Sequence, residues 1–380
     1  MSLSVVPVSG RSGLNDFIEV PWVVYADDPC WVPPLKMERR DALSPKHPFF
    51  EHARWQPFVA YRDGRPVGRV SAQIDDLYQE RHDPKGGFFG MFESIPDDAV
   101  IDGLLGGAEA WLAEQGCENV VGPFNLNINQ EVGLLVDGFD SSPFFMMGHG
   151  MPYYREALTR RGYAEVQRML AYEMPVLFER PRLMNVMMKQ LGPRVTMRTL
   201  DRRKLAEELE ILRDIFNDAW SENWRFVPWT ASEFLAVGKE MMLLIPPDFV
   251  QIAEVDGEPA AFIVMLPNLN EVIGDLDGRL FPFGWAKLLW RIKVRYPKSG
   301  RVPLMGVRRR FHHTRLGPGL AMFCISALRE PSHRTGLERA ELSWILEDNQ
   351  GMRSILEAVG GEVTRTYAMF EKTLPRGAAS

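Results

Sequence analysis

The sequence predicts an α/β protein with mixed sheets, built from two tandem halves of similar order, and three observations carry that expectation. One hairpin signature occurs twice: Val59-Ala60-Tyr61, Asp63-Gly64 and Pro66 to Ala72, then Val250 to Val255, Asp256-Gly257 and Pro259 to Met265. Asp-Gly between two apolar runs is a two-residue hairpin turn. Each hairpin is followed by alternating helical and strand patterns, the order expected of an α/β arrangement. The length of 380 residues, with 46% hydrophobic and 25% charged residues, suits two globular domains and excludes disorder.

The opening 50 residues are Pro-rich, with Trp31-Val32-Pro33-Pro34, and read as an extended arm over the first domain, which is expected over 51–185. After the first hairpin, Gly87 to Phe92 reads as a third strand. Asp97-Asp98 then caps a helix with Val100, Leu104, Ala108 and Leu112 at helical spacing. Asn119 to Gly122 returns as a strand, 153–161 as a helix and 170–174 as a strand. Leu191-Gly192-Pro193 marks a break, and the second domain is expected over 195–375.

In that half, 205–220 is amphipathic through Leu205, Leu209, Leu212, Ile215 and Phe216, and 231–244 is a second helix. After the second hairpin and an insertion, 302–307 reads as a strand and 320–328 as a helix. A strand at 339–345, a helix at 349–358 and a final strand at 364–370 complete it.

Three scattered cysteines, Cys30, Cys117 and Cys324, argue against a disulfide framework and a zinc cluster and for a reducing compartment. The N-terminus carries Arg11, Asp16 and Glu19 where an export signal needs an unbroken apolar core, so a cytoplasmic location is expected. The net charge of −6 hides a block from Gly278 to Arg329 with twelve Lys or Arg and no Asp or Glu. That block fits coenzyme A phosphates, an acidic acyl carrier protein or an anionic lipid surface, the last at the inner membrane face. Nucleic acid is not expected of so acidic a chain. No metal site is expected, since His312-His313 has no third ligand nearby.

The strand 302–307 leads through Thr314-Arg315-Leu316-Gly317-Pro318-Gly319-Leu320 into a helix. A glycine bend at a helix start presents backbone N–H groups and the positive helix end to an anion. This segment resembles the pyrophosphate loop of the GNAT superfamily, Q/R-x-x-G-x-G/A, with Thr314 where that family has Gln or Arg. The following Glu347-Asp348-Asn349 and Val359-Gly360-Gly361 are similar to the family's later motifs. The resemblance implies two tandem GNAT-like domains of the acyl-CoA N-acyltransferase fold. The second half would bind the acyl donor through Val307, Thr314, Arg315, Gly317, Gly319, Leu320 and Asn349. Acids at 97–98 oppose a pyrophosphate in the first half, which is expected to shape the acceptor side.

Asn125, Asn127 and Asn129 alternate along what reads as an extended segment, followed by Glu131, His149, Tyr153 and Tyr154. They form either a polar wall for substrate or a turn that satisfies its own backbone. The run G-P-F-N…E-x-G-L-L-V-D-G-F-D…P-Y-Y resembles a bacterial group associated with ceramide synthases, which acylate the amine of a sphingoid base. That resemblance implies a thioester donor, acyl-CoA or acyl-ACP, and a lipid-like amine acceptor. For direct attack by a neutral amine, Glu131, His149 and Glu347 are candidate bases and Tyr154 and Tyr367 candidate acids. The Val307 N–H would polarise the thioester carbonyl. Cys324 is expected in the core.

The insertion carries an apolar stripe of Trp285, Leu288, Leu289 and Ile292 beside a basic stripe of Lys287, Arg291 and Arg295. It suits either an interfacial helix or a helix packed on its own domain. A non-catalytic ligand-binding or regulatory protein, and a thioester hydrolase, are the alternatives to an acyltransferase.

Overall fold

The computed structural model describes residues 2–375. The chain forms two compact units: the first takes the chain as far as Met169, then Ile273–Trp285 and the stretch from Arg365; the second takes Leu170–Val272 and Ala286–Thr364.

In the first unit the opening residues are not an irregular arm. β1 (Leu3–Pro7) pairs antiparallel with β2 (Ala53–Arg62), and between them lie α1 (Gly10–Val24) and α2 (Lys36–Ala42). Phe17, Ile18, Val20 and Val24 of α1 enter the core. Pro21 lies inside this helix, which a proline ordinarily breaks. β2 and β3 (Arg65–Asp75) form the expected hairpin, with Asp63 at φ 48° and Gly64 at φ 79° in the doubly left-handed turn that matches strand twist. α3 (Asp76–Arg81) leads to β4 (Gly86–Ser94). α4 (Asp98–Glu114) follows, capped by Asp97, whose carboxylate accepts from Ala99 N and Val100 N at 3.0 and 3.2 Å.

β5 (Asn119–Gly122), the short β6 (Phe124–Asn125) and β7 (Glu131–Val132), β8 (Leu134–Asp137) and α5 (Tyr154–Arg160) complete the run. The sheet order is β1-β2-β3-β4-β5, and on β5 lies β15 (Glu362–Thr373), the last strand of the chain, which pairs Phe370 with Gly122. Local periodicity could not foretell that return.

β9 (Ala164–Pro175) crosses from the first unit into the second. The second unit continues with α6 (Arg182–Leu191), β10 (Val195–Thr199), α7 (Leu205–Trp220), α8 (Ala231–Leu244), β11 (Val250–Val255), β12 (Glu258–Pro267) and α9 (Asn270–Ile273). After α10 (Gly284–Val294) come β13 (Ser299–Val307), α11 (Leu316–Ala327), α12 (Arg329–Thr335), β14 (Arg339–Leu346) and α13 (Gln350–Ala358). Its sheet runs β9-β14-β13-β12-β11-β10. Thr230 and Glu233 form a reciprocal capping box that starts α8. Asp256 and Gly257, at φ 54° and 84°, repeat the first hairpin turn.

Glycine spacing separates packing from flexibility. A Cβ on Gly90 of β4 would sit 1.7 Å from the Phe124 carbonyl oxygen, whereas one on Gly106, inside α4, meets nothing within 4 Å. Gly90→Ala is expected to lower stability by about 3 kcal/mol or more, and Gly106→Ala to raise it by about 1 kcal/mol. Chemical denaturation of the two variants measures both; equal effects would contradict the assignment.

Candidate active site

In the second unit β13 and β14 run parallel and pair only from Ser299–Val302 with 339–342. Both continue, to Val307 and Leu346, so beyond Val302 and Leu342 they part and leave a wedge. Arg308 N donates to Ala260 O at 2.9 Å. Strand alternation therefore turns the amides of Met305 and Val307 away from β12 and toward the open edge. Pro303 shares that parity and has no N–H to leave unpaired. Two side chains satisfy carbonyls there: Trp220 Nε1 donates to Met305 O at 2.9 Å, and His312 Nε2 lies 2.6 Å from Val307 O.

The wedge holds a cavity of about 50 Å3 lined by Pro303, Met305, Trp344, Leu346, Asn349 and Met352 among others. Where the strands diverge, Arg301 and Glu341 are fully buried. Arg301 Nε donates to Ser343 Oγ at 2.9 Å, and Ser343 Oγ donates to Glu341 at 2.8 Å. The guanidinium lies 4.6 Å from the Trp344 ring centre. Removing one partner would strand a buried charge, a loss of about 3–5 kcal/mol.

The glycine segment beyond β13 differs from the expected bend. Gly317 and Gly319 lie inside the first turns of α11, which begins at Leu316 rather than at residue 320. Their role in packing is plain: a Cβ on Gly317 would come 2.4 Å from Phe311 O, and one on Gly319 would come 2.9 Å from Leu191 of α6. Thr314 Oγ1 donates to Phe311 O at 2.9 Å and accepts from Leu316 N at 3.2 Å, closing the loop on itself. Arg315 is the N-cap and is exposed, while Leu320 is core.

The first unit repeats the parallel divergence and fills it. β4 and β5 pair only through Gly86–Phe88 and 119–121. The chain then turns through Pro123 into β6, and the carbonyls of Phe124 in it and of Leu126 just after it accept from Gln73 Nε2 at 2.6 and 3.1 Å. Asn125 Oδ1 accepts from Met91 N of β4 at 2.8 Å. The chain thus lies against β4 where the wedge of the second unit is open.

Next to that plug lies a buried polar network. Pro21 has no N–H to offer the Phe17 carbonyl, and Arg69 Nη1 donates to it instead at 3.1 Å. This holds the Arg69 guanidinium 3.7 Å from Glu93 at the end of β4. Tyr25 OH donates to Glu93 Oε2, and Tyr154 OH lies 3.4 Å from the same oxygen while accepting from Ser94 N at 2.9 Å. Burial pushes the Glu93 carboxyl up to about 7, against the opposing pull of Arg69 and the two phenols. Glu131 faces the reverse balance: burial alone would raise it, but Arg39 at 3.1 Å and Asn125 at 2.9 Å hold it below the usual carboxylate range. His149 Nε2 lies 2.8 Å from Asp28, and burial pushes its pKa down.

No family model matches the sequence. Among solved structures, a tandem GNAT protein from the clavulanic acid biosynthesis pathway superposes with a TM-score of 0.58 at 11% identity, over 99% of this chain and 100% of that one. The fold is that of tandem GNAT proteins. Protein YghO of Escherichia coli strain K12 is 48% identical over 366 residues, covering 96% of this chain and 94% of that protein. The bacterial ceramide synthase of Caulobacter vibrioides is 45% identical over 375 residues, covering 98% of each. The chain belongs to the family of these two proteins.

For this family member, the residues singled out from sequence fall into three groups. Asn125, Glu131, His149, Tyr153 and Tyr154 lie in the first unit, in or beside the polar network, with Tyr153 OH donating to Ser94 O. Asn127 and Asn129 do not continue a strand with Asn125: Leu126 at φ 90° breaks the alternation, and Asn127 Oδ1 accepts from Asn129 N at 3.0 Å in a turn. Tyr367 is fully buried and donates to Gly148 O at 3.0 Å. In the second unit, Val307 and Asn349 border the wedge, Asn349 capping α13 through Met352 N at 3.1 Å, whereas Glu347 is exposed. The described residues contain no group of three or more potential metal ligands.

Sequence reading missed Glu93, Tyr25, Arg69, Arg39 and Asp28. Three of them lay in the supposed arm. Glu93, however, is the sole ionisable residue in the run Gly86–Ser94, and a lone carboxylate in an apolar strand is a legible signal.

A carboxyl raised in the folded state stabilises the fold most where it keeps its proton. That contribution is full below the unfolded value of about 4.3 and is lost as the pH rises through about 7. Glu93→Gln removes the dependence, so the variant should gain stability relative to the parent between pH 5 and 8, on the order of 3 kcal/mol. Thermal melts across that range test this; a pH-independent difference would contradict it.

Proposed function

We propose that this protein is an N-acyltransferase that moves a fatty acyl group from a thioester, acyl-CoA or acyl-ACP, to the primary amine of a long-chain, sphingoid-type lipid. The open wedge between β13 and β14 carries the reading. It offers an apolar slot edged by unpaired backbone amides, which suits an extended arm bearing its own amide groups. The family relationship to a protein named bacterial ceramide synthase supports the amine class.

In this reading the amine nitrogen attacks the thioester carbonyl directly, a C–N bond forms, and the C–S bond breaks. The Val307 N–H polarises the carbonyl oxygen. Glu347, exposed directly after the wedge-lining Leu346, takes up the amine proton. Glu347 returns that proton to the departing sulfur, which leaves as a thiol. A cysteine nucleophile is disfavoured: burial pushes Cys117 up to about 11 and Cys324 to about 12, leaving both as thiols. Exposed Arg315, at the start of α11, pairs with a donor phosphate.

Two measurements test this. Thermal stabilisation by coenzyme A should grow with acyl length in palmitoyl-CoA, and Arg315→Ala should weaken that binding about tenfold. No stabilisation by coenzyme A or palmitoyl-CoA, but stabilisation by an acylated carrier protein, would select acyl-ACP as donor. No stabilisation by any of them would favour a ligand-binding protein. Glu347→Gln should lower kcat by about 10²–10⁴ while acyl-CoA binding persists. An unchanged kcat would remove Glu347 from the mechanism.

A further inference from the structure

By its sequence α10 suits either an interfacial helix or a helix packed on its own domain with a basic outer face. No residue of α10 is buried. At about 100° per residue, Trp285, Leu289, Lys293, Ala286, Trp290, Val294 and Lys287 fall on one outward half of the helix, and Leu288 and Ile292, half-buried, fall on the other. Trp285, Leu289 and Trp290 are 49%, 51% and 52% exposed, and the preceding Phe281 and Phe283 are 70% and 80% exposed. Among the described residues, these are all of the exposed Phe and Trp side chains. Their concentration on one short segment is not the scatter of single apolar groups that any surface shows.

Charge decides what covers them. Five cations of the acid-free block are matched by acids from outside it: Lys298 by Glu338, Arg301 by Glu341, Arg308 by Asp214, Arg309 by Glu222 and Arg310 by Glu258. All five lie beyond the aromatic segment. Around the aromatics themselves stand exposed Arg279, Lys293 and Arg295, and no carboxylate occurs from Gly278 to Arg329. A second copy of this surface would oppose like charges. Tryptophan and phenylalanine beside lysine and arginine match the headgroup region of an anionic bilayer, where the rings sit at the acyl boundary and the cations meet lipid phosphates. No helix of the described residues is long and apolar enough to cross a membrane, so this contact is with a surface.

We propose that residues 281–295 seat the protein on an anionic lipid surface, the aromatic side chains entering the interface and Lys293 and Arg295 binding headgroups. The inference stands apart from acyl transfer, because attachment is measured without turnover. Sedimentation with phosphatidylglycerol-containing vesicles should carry the full-length protein down at low salt, with release at high salt, and pure phosphatidylcholine vesicles should carry down much less. Trp285→Ser with Trp290→Ser, and separately Lys293→Glu with Arg295→Glu, should each weaken partitioning about tenfold or more while melting temperature and coenzyme A binding stay at parental values. Sedimentation indifferent to headgroup charge, or variants that partition like the parent, would overturn the proposal. So would a tryptophan variant that changes only the oligomeric state, which would identify a second copy as the occupant.

Discussion

Everything that marks a site in this protein follows from two parallel strands that pair briefly and then separate. A sheet normally satisfies each backbone group with the next strand, and a divergence leaves a row of groups to be satisfied otherwise. In the second unit the solution is sparse: Pro303 has no donor, and Trp220 and His312 meet two carbonyls. The wedge stays open. In the first unit the same divergence after Phe88 is closed by the chain itself, which places Phe124 against Gly90 so tightly that no Cβ fits. One architecture thus yields a receptive unit and a self-occupied one, and the difference lies in Gly122 to Asn125 rather than in overall fold.

The self-occupied unit puts its polar chemistry elsewhere. A proline within α1 exposes a carbonyl, Arg69 answers it, and Arg69 then stands beside Glu93. The carboxyl is raised because desolvation outweighs one guanidinium at 3.7 Å and two phenols. Glu131, a few residues past the plug, goes the other way because Arg39 bonds it directly. Two carboxylates in one network therefore differ in proton affinity, the usual sign that their roles differ.

Much of the architecture was legible because it is locally encoded. The two Asp-Gly hairpins, the helices of 205–220 and 231–244 and the order of the second half follow from turn chemistry and periodicity. The first 50 residues were not, because Pro21 and the prolines after it mask a helix that its own core contacts sustain. The return of β15 to β5 rests on pairing between residues about 250 apart in sequence, which no local signal carries. Of the site, the glycine segment was visible but its glycines answer Phe311 and Leu191 as well as any guest. The network around Glu93 joins residues 25, 69, 93 and 154, and only their convergence in space reveals it.

The proposed function requires the β13–β14 wedge to hold the acyl donor. A crystal structure with a non-hydrolysable palmitoyl-CoA analogue tests it most directly. The account predicts the pantetheine arm laid between the diverging strands, with its amides bonded to the backbone at Met305 or Val307 and its phosphates toward Arg315. An analogue bound along β4 in the first unit, or outside the wedge altogether, would contradict it.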